Sequence, residues 1–399
     1  MPEPTPRTEP KRSAQRRPLS GLTRYVVVPL LLVAVGIRIG MQLERSRLPP
    51  PPAPAVSPAA APPTPEPPPA SPVAPTCELT ASFENNIYPS LLLSLGASYP
   101  EASRCLTIAL HELPASGSFQ LRIDSELFLR PLEVGFDAPS GAVTLNPELP
   151  WNFAALRRTT QTAPQSFVAT LIVDGKPAGE ATVACTLHSV NEAVSRIYNG
   201  SSGQWQDTSV CFAAFVNEDH PWINTLLQEA MASGGVHAFT GYQSGAQSEI
   251  QQVQAIWDAL AARGLSYVNV ATDSAASPLV STQYVRFLDQ SVHDHGANCV
   301  DASVLFASIL RRIGLRPVLI FRPGHCFTGF YDAPEGGRLI AFETTLLGAA
   351  PFSAATAEGT RELQTTLPYL GTAQYSIVDI ALCRQQGINP IPFEAADPN

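Results

Sequence analysis

The chain has 399 residues, with 25 Lys and Arg against 34 Asp and Glu, a formal net charge of −9. That balance excludes nucleic-acid binding spread over the whole chain, which needs the opposite excess. The length suggests two or three domains, and seven cysteines leave at least one thiol unpaired or intermolecular in an oxidising compartment.

Residues 1–24 form a basic tail, carrying Arg7, Lys11, Arg12, Arg16, Arg17 and Arg24 against Glu3 and Glu9. An apolar run follows over residues 25–43, with Arg38 as its lone charge, which can snorkel to an interface. This run is close to the ~20 residues that a helix needs to cross a bilayer. The basic flank predicts a cytoplasmic tail, a single-pass signal anchor and an exported remainder. A cleaved signal peptide is the alternative, but Glu44, Arg45 and Arg47 stand where a small-residue cleavage site would be needed. Residues 44–76 read as a Pro-rich, disordered stalk, with fourteen prolines between Pro49 and Thr76. Fully extended as polyproline II, those 28 residues would span roughly 87 Å.

Residues 77–190 alternate apolar and polar side chains in short runs such as SFQLRI, ELFLRPLEV, SFVATLIVD and EATVACTL. Asp174-Gly175 supplies a hairpin turn between the last two. This pattern predicts an antiparallel β-sandwich, with Cys105 and Cys185 as candidates for a disulfide. No chemical constellation stands out here.

From residue 191 the period becomes helical. Asp219 is placed as the N-cap of a helix that has Pro221 in its first turn and ends at Gly234-Gly235. A second helix is expected over about Ser248 to Ala262, and GLSYVNVAT is expected as a short strand. The chemistry concentrates in Gly296 to Thr345. Asn298 caps a helix whose apolar positions are Val300, Val304, Leu305, Ile309 and Leu310, and which closes on Arg311, Arg312 and Gly314. Cys299 therefore sits in the first turn, where free N–H groups and the helix dipole favour a thiolate and can hold an oxyanion. Three strands follow: Arg316 to Phe321, one opening on His325, and Leu339 to Glu343. As a meander on the helix, they would bring His325 to the thiol with Glu343 behind the imidazole, an activated nucleophile for acyl transfer.

The segments GANCVDASVLFASILRRIGLRPV, PGHCFTGFY and AFETT resemble the transglutaminase-like superfamily, with its papain-like core. The order Cys, His, acid matches, and the resemblance implies a catalytic triad of Cys299, His325 and Glu343. Glu343-Thr344-Thr345 departs from the family's Asp-Pro-Thr, and Cys326-Phe327 departs from its usual residues after the His. The chain is then expected to be α+β: an N-terminal membrane helix and Pro-rich linker, the β-sandwich, and a transglutaminase-like domain over residues 191–399. The resemblance implies a protein of the bacterial inner membrane with its C-terminal domains in the periplasm. It acts on peptide or protein substrates, with hydrolysis as a cysteine peptidase or amidase favoured over transfer to an amine. No cofactor or metal is expected, and no nucleic-acid partner. Gln290 and Asn298 are candidate oxyanion-hole donors beside the Cys299 N–H. Three other readings compete: zinc held by His293, His295, Cys299, His325 and Cys326; a paired-carboxylate hydrolase on Asp301 and Glu343; and a non-catalytic binding module of the envelope.

Overall fold

A computed structural model of the chain describes residues 74–391, apart from 97, 139–140, 245, 270–276 and 373. The basic tail, the apolar run and all but the end of the Pro-rich segment lie outside the described residues. Among the described residues no helix is long and apolar enough to cross a membrane.

The first half contains β1 (Thr76–Ala81), β2 (Asn86–Ile87), α1 (Pro89–Leu95), β3 (Leu106–His111), β4 (Phe119–Asp124), β5 (Leu132–Phe136), β6 (Val143–Leu145), α2 (Phe153–Arg157), β7 (Ala163–Val173) and β8 (Lys176–Leu187). They form two sheets, ordered β1-β3-β6 and β2-β8-β7-β4-β5. Every pairing is antiparallel except β2 with β8. The period-two pattern does what it should: Phe119, Leu121 and Ile123 of β4 are buried while Gln120 and Arg122 face out. Leu79, Ile108 and Leu110 from the first sheet share one apolar core with Leu121, Phe167 and Leu171 from the second. Asp174 and Gly175 both take positive φ in the β7–β8 turn, as a tight hairpin requires.

Three expectations need correcting here. The region is not purely β, because α1 and α2 interrupt it; buried Leu91 and Leu95 of α1 join the core of the second half. ELFLRPLEV is not one strand, since only its end lies in β5, and Leu129 makes an isolated bridge to Trp151. Pro131, which cannot donate to a ladder, separates the two parts. The disulfide is not formed: Cys105 and Cys185 are free, buried thiols.

The second half contains β9 (Glu192–Asn199), β10 (Gln204–Asp207), α3 (Pro221–Ala232), α4 (Ala246–Ala262), β11 (Ser266–Tyr267), β12 (Val280–Tyr284), α5 (Leu288–His293), β13 (Gly296–Ala297), α6 (Cys299–Arg312), β14 (Pro317–Arg322), β15 (His325–Tyr331), β16 (Leu339–Phe342), α7 (Phe352–Thr366), β17 (Ser376–Asp379) and α8 (Ile380–Gln385). The chain as a whole is thus α+β, with several separate sheets. The N-cap of α3 is His220, not Asp219: its Nδ1 accepts from the Trp222 N–H, while Asp219 pairs with Arg312. Of the expected GLSYVNVAT strand, residues 270–272 lie outside the described residues, and among the rest the strand is the two residues of β11, paired in parallel with β13.

The expected meander is present as a four-stranded antiparallel sheet, ordered β16-β15-β14-β17. Helix α6 packs on it through Val300 and Val304, which share a core with Leu319, Cys326 and Val378. Leu363 of α7 packs with Val318, Ile320 and Phe327 on the other side. Helix α7 comes unusually close to β16 because residue 359 is glycine. A Cβ there would stand 2.4 Å from Phe342 Cα and 2.5 Å from its backbone nitrogen. The approach also lets the Glu343 N–H donate to Ala355 O at 2.9 Å.

Gly359→Ala should therefore force α7 off β16 and destabilise the protein by about 1–3 kcal/mol, the usual cost of overpacking a tight contact. Urea denaturation checks this, and an unchanged midpoint contradicts the close-approach account.

Candidate active site

Asn298 caps α6 as the sequence implies. Its Oδ1 accepts from the N–H groups of Val300 and Asp301, both at 2.9 Å, and Asp301 Oδ2 accepts from the Asn298 N–H at 3.1 Å. This reciprocal box satisfies most of the helix's open donors. Ala302 N–H is bonded to Asn298 O. The Cys299 N–H is what remains of the first turn as a donor beside the sulfur. Cys299 is half-buried, on the wall of a cleft of about 210 Å³ that it shares with His325. The opposite wall, from β9, β10 and β12, is polar and includes Ser195, Arg196, Asp207, Ser281 and Gln283.

His325 opens β15 and lines the same cleft as Cys299, close enough for the sulfur to help hold a proton on the imidazole. Its Nε2 donates to Glu343 Oε2 at 2.8 Å, which leaves Nδ1 to serve the thiol. Glu343 lies just past the end of β16, almost wholly buried, with its other oxygen accepting from the Thr345 N–H at 2.8 Å. All three residues of the expected triad are thus brought together. Burial alone would lower the His325 pKa, but hydrogen bonds with Cys299 and Glu343, and their charges, outweigh it and push the value up to about 10. Burial likewise opposes ionisation of Glu343, yet the bonds from His325 and Thr345 hold its carboxyl below the usual range.

A fourth residue completes the site, and the sequence reasoning missed it. Glu362, on α7, places its Oε2 3.3 Å from His325 Nε2. The weak signal for it was Gly359, one helical turn earlier, which brings that face of α7 against β16. His325, Glu343 and Glu362 are also the grouping among the described residues with metal-like convergence, their nitrogen and oxygen atoms all lying within 4.8 Å of one another. Any cation there would have to displace the imidazole proton already bonded to Glu343.

The other candidates lie elsewhere. Gln290 is spent on structure: its Oε1 accepts from the Phe287 N–H at 2.8 Å and from Asn191 Nδ2 at 2.7 Å. It lines a different cavity, with Arg157, His220 and Phe287. Asn298, next to Cys299, uses its side-chain Oδ1 for the helix cap, so the group it could offer an oxyanion is its Nδ2 amide. The zinc alternative is not assembled, because His293 is exposed beside Asp294 and His295 bonds to Arg263 O. Cys326 is a fully buried core thiol. Asp301 pairs with Arg286 at 2.9 Å rather than with Glu343. No protein-family model matches the chain, and no curated protein is similar to it.

The two shifted groups set a pH window for stability. Because the folded His325 pKa lies above its ordinary 6.5, its contribution is complete below about 6.5 and lost as pH rises through about 10. Because the Glu343 pKa is depressed below 4.5, its contribution is present above about 4.5 and lost as pH falls further. The difference in unfolding free energy between wild type and His325→Gln should be greatest at about pH 4.5–6.5 and shrink toward pH 10. Urea titrations at a series of pH values test this; a difference that grows with pH contradicts it.

Proposed function

We propose that the chain is a membrane-anchored, transglutaminase-like cysteine enzyme that cleaves amide bonds of peptide or protein substrates. The observation that supports this best is Cys299 at the start of a long buried helix, beside an imidazole whose other nitrogen is bonded to a buried carboxylate. The two sheets sharing one core suit the expected β-sandwich, and the helix packed on an antiparallel sheet suits a papain-like core.

In this reading the Cys299 sulfur attacks the substrate carbonyl carbon as a thiolate, with His325 as imidazolium. The Cys299 N–H donates to the oxyanion that develops. His325 gives its proton to the leaving amine, the C–N bond breaks, and a thioester remains. Water then attacks the thioester while His325 takes its proton; the C–S bond breaks, the carboxylic acid leaves, and the Cys299 thiolate is restored beside the imidazolium. Glu343 accepts from Nε2 throughout, fixing the ring and stabilising its positive charge. The basic segment, apolar run and Pro-rich stalk support display of the domain outside a bacterial inner membrane, facing periplasmic substrates. The polar wall opposite Cys299 suits an extended peptide backbone, and an amine in place of water would turn the same thioester to transfer.

The test is iodoacetamide labelling of the full-length chain at neutral pH, with the modified residue located by mass spectrometry. Cys299 is expected to label selectively, and His325→Ala to slow it by about tenfold or more, toward the few per cent ionisation of an ordinary thiol. Equal labelling in wild type and His325→Ala would sink the nucleophile reading. The envelope binding module would then be the reading to pursue. If the labelling holds, peptide and amine substrates separate hydrolysis from transfer.

A further inference from the structure

The ring of His325 offers one N–H on its Nε2 side, and two carboxyl groups face it. That hydrogen is directed to Glu343 Oε2 at 2.8 Å. Glu362 Oε2 lies 3.3 Å from the same nitrogen, is itself shut off from solvent, and receives no N–H or hydroxyl hydrogen bond. Leaving an ionised buried oxygen in that state is costly. The other carboxyl on this nitrogen is that of Glu343: one oxygen of each acid and the imidazole nitrogen all lie within 4.8 Å of one another, and two carboxyl groups crowded onto one imidazole favour a proton on one of them.

The surroundings decide which group carries it. Glu343 already accepts from His325 and from the Thr345 N–H, so its negative charge is well satisfied. Glu362 is flanked by Arg322 of β14 and by Arg361 of its own helix, but both approach its other oxygen, Oε1, at 3.7 Å and 3.8 Å, as loose ion pairs outside hydrogen-bond contact. Arg361 is engaged instead with Glu358, the other acid on this face of α7. Burial and the nearby Glu343 charge both raise the Glu362 pKa, while His325 and Arg322 offset this in part.

We propose that Glu362 is a positioning residue for the Cys299–His325 chemistry: as a neutral acid hydrogen-bonded to Glu343, it holds that carboxylate on His325 Nε2 and keeps a second negative charge off the imidazole. The second part matters for turnover. Two full carboxylates on one imidazolium would hold its proton too tightly for transfer to a leaving amine. Ionisation of Glu362 at higher pH then becomes a built-in restraint on the acid step. This role rests on the cysteine-enzyme reading for its purpose, but the location of the proton does not.

The test is ¹⁵N NMR of the histidine ring nitrogens in the full-length chain across pH, with His325 assigned by comparison with His325→Ala. Wild type should show a step in the His325 shifts above the ordinary carboxylate range and below the titration of the ring itself. Glu362→Gln, neutral at every pH, should lose that step. Glu358→Gln, an acid on the same helix without contact to the ring, should keep it. A step that survives in Glu362→Gln, or no step in wild type, would overturn the proposal. A step lost equally in Glu358→Gln would also overturn it, by pointing to a general field rather than a shared proton. Iodoacetamide labelling of the same samples separates the two ideas: unselective labelling defeats the nucleophile reading while the NMR step still decides where the proton sits.

Discussion

The hydrogen bond from His325 to Glu343 depends on strand register. The β15–β16 ladder pairs Thr328 with Phe342 and Gly329 with Ala341. Continued by the same rule, His325 would oppose residue 345, which makes Glu343 its diagonal neighbour on the same face, normally 7–8 Å away between Cα atoms. A long Glu side chain spans that gap where a shorter Asp would need the backbone to move closer. A slip of one residue would turn either side chain to the opposite face and break the pair. The remaining constraint comes from α7, whose backbone accepts from the Glu343 N–H and whose residue 359 admits the contact only as glycine. The site is therefore fixed by backbone geometry in three elements before any side chain of substrate enters.

The charges are arranged so that each is answered once. The imidazole has Cys299 beside it in the cleft and Glu343 on Nε2, and Glu343 has the imidazole and the Thr345 N–H. Burying this set is tolerable because it is connected; a carboxylate buried alone would have to take up a proton. That is the position of Glu362, which is close enough to matter and too poorly bonded to remain an anion without cost. The Arg361–Glu358 pair beside it lies at the surface, where solvent screening leaves it little energetic weight.

Much of this was legible in the sequence, for identifiable reasons. The start of α6 carries a strong local signal, because Asn298, Asp301 and the apolar spacing from Val300 to Leu310 all agree. The β14–β15 pair shows in its unbroken apolar runs and the Pro323-Gly324 turn. Glu362 was barely legible: FSAATAEGTRELQTT has a polar, solvent-like pattern, and Gly359 alone hints at close contact with a strand some twenty residues earlier. Gln290 misled for the opposite reason. Its position in the chain suited an oxyanion donor, but a Gln at the third position of a helix first answers the local demand of the cap. Asp219 and His220 show the same competition, in which a long-range pair with Arg312 removes the better cap residue and the neighbour takes its place.

The boundary between the halves also shapes the candidate site. Tyr88, Leu91 and Leu95 of the first half sit in one core with Val300 and Val304 of α6 and with Cys326 of β15. At the crossing point, buried Glu192 accepts from His188 at 3.0 Å and from Thr162 at 2.9 Å, and the far side of the His188 ring meets Asn86 Oδ1 at 2.8 Å. The bonds from Thr162 and Asn86 are long-range, and the His188–Glu192 pair they support is buried, where losing one partner costs more than the bond itself contributes. Glu192 opens β9, and β9 supplies Ser195 and Arg196 to the wall facing Cys299. The first half is therefore built into the candidate site: through α1 it fills the core beneath the helix that carries Cys299, and through Glu192 it sets where the facing wall of the cleft begins.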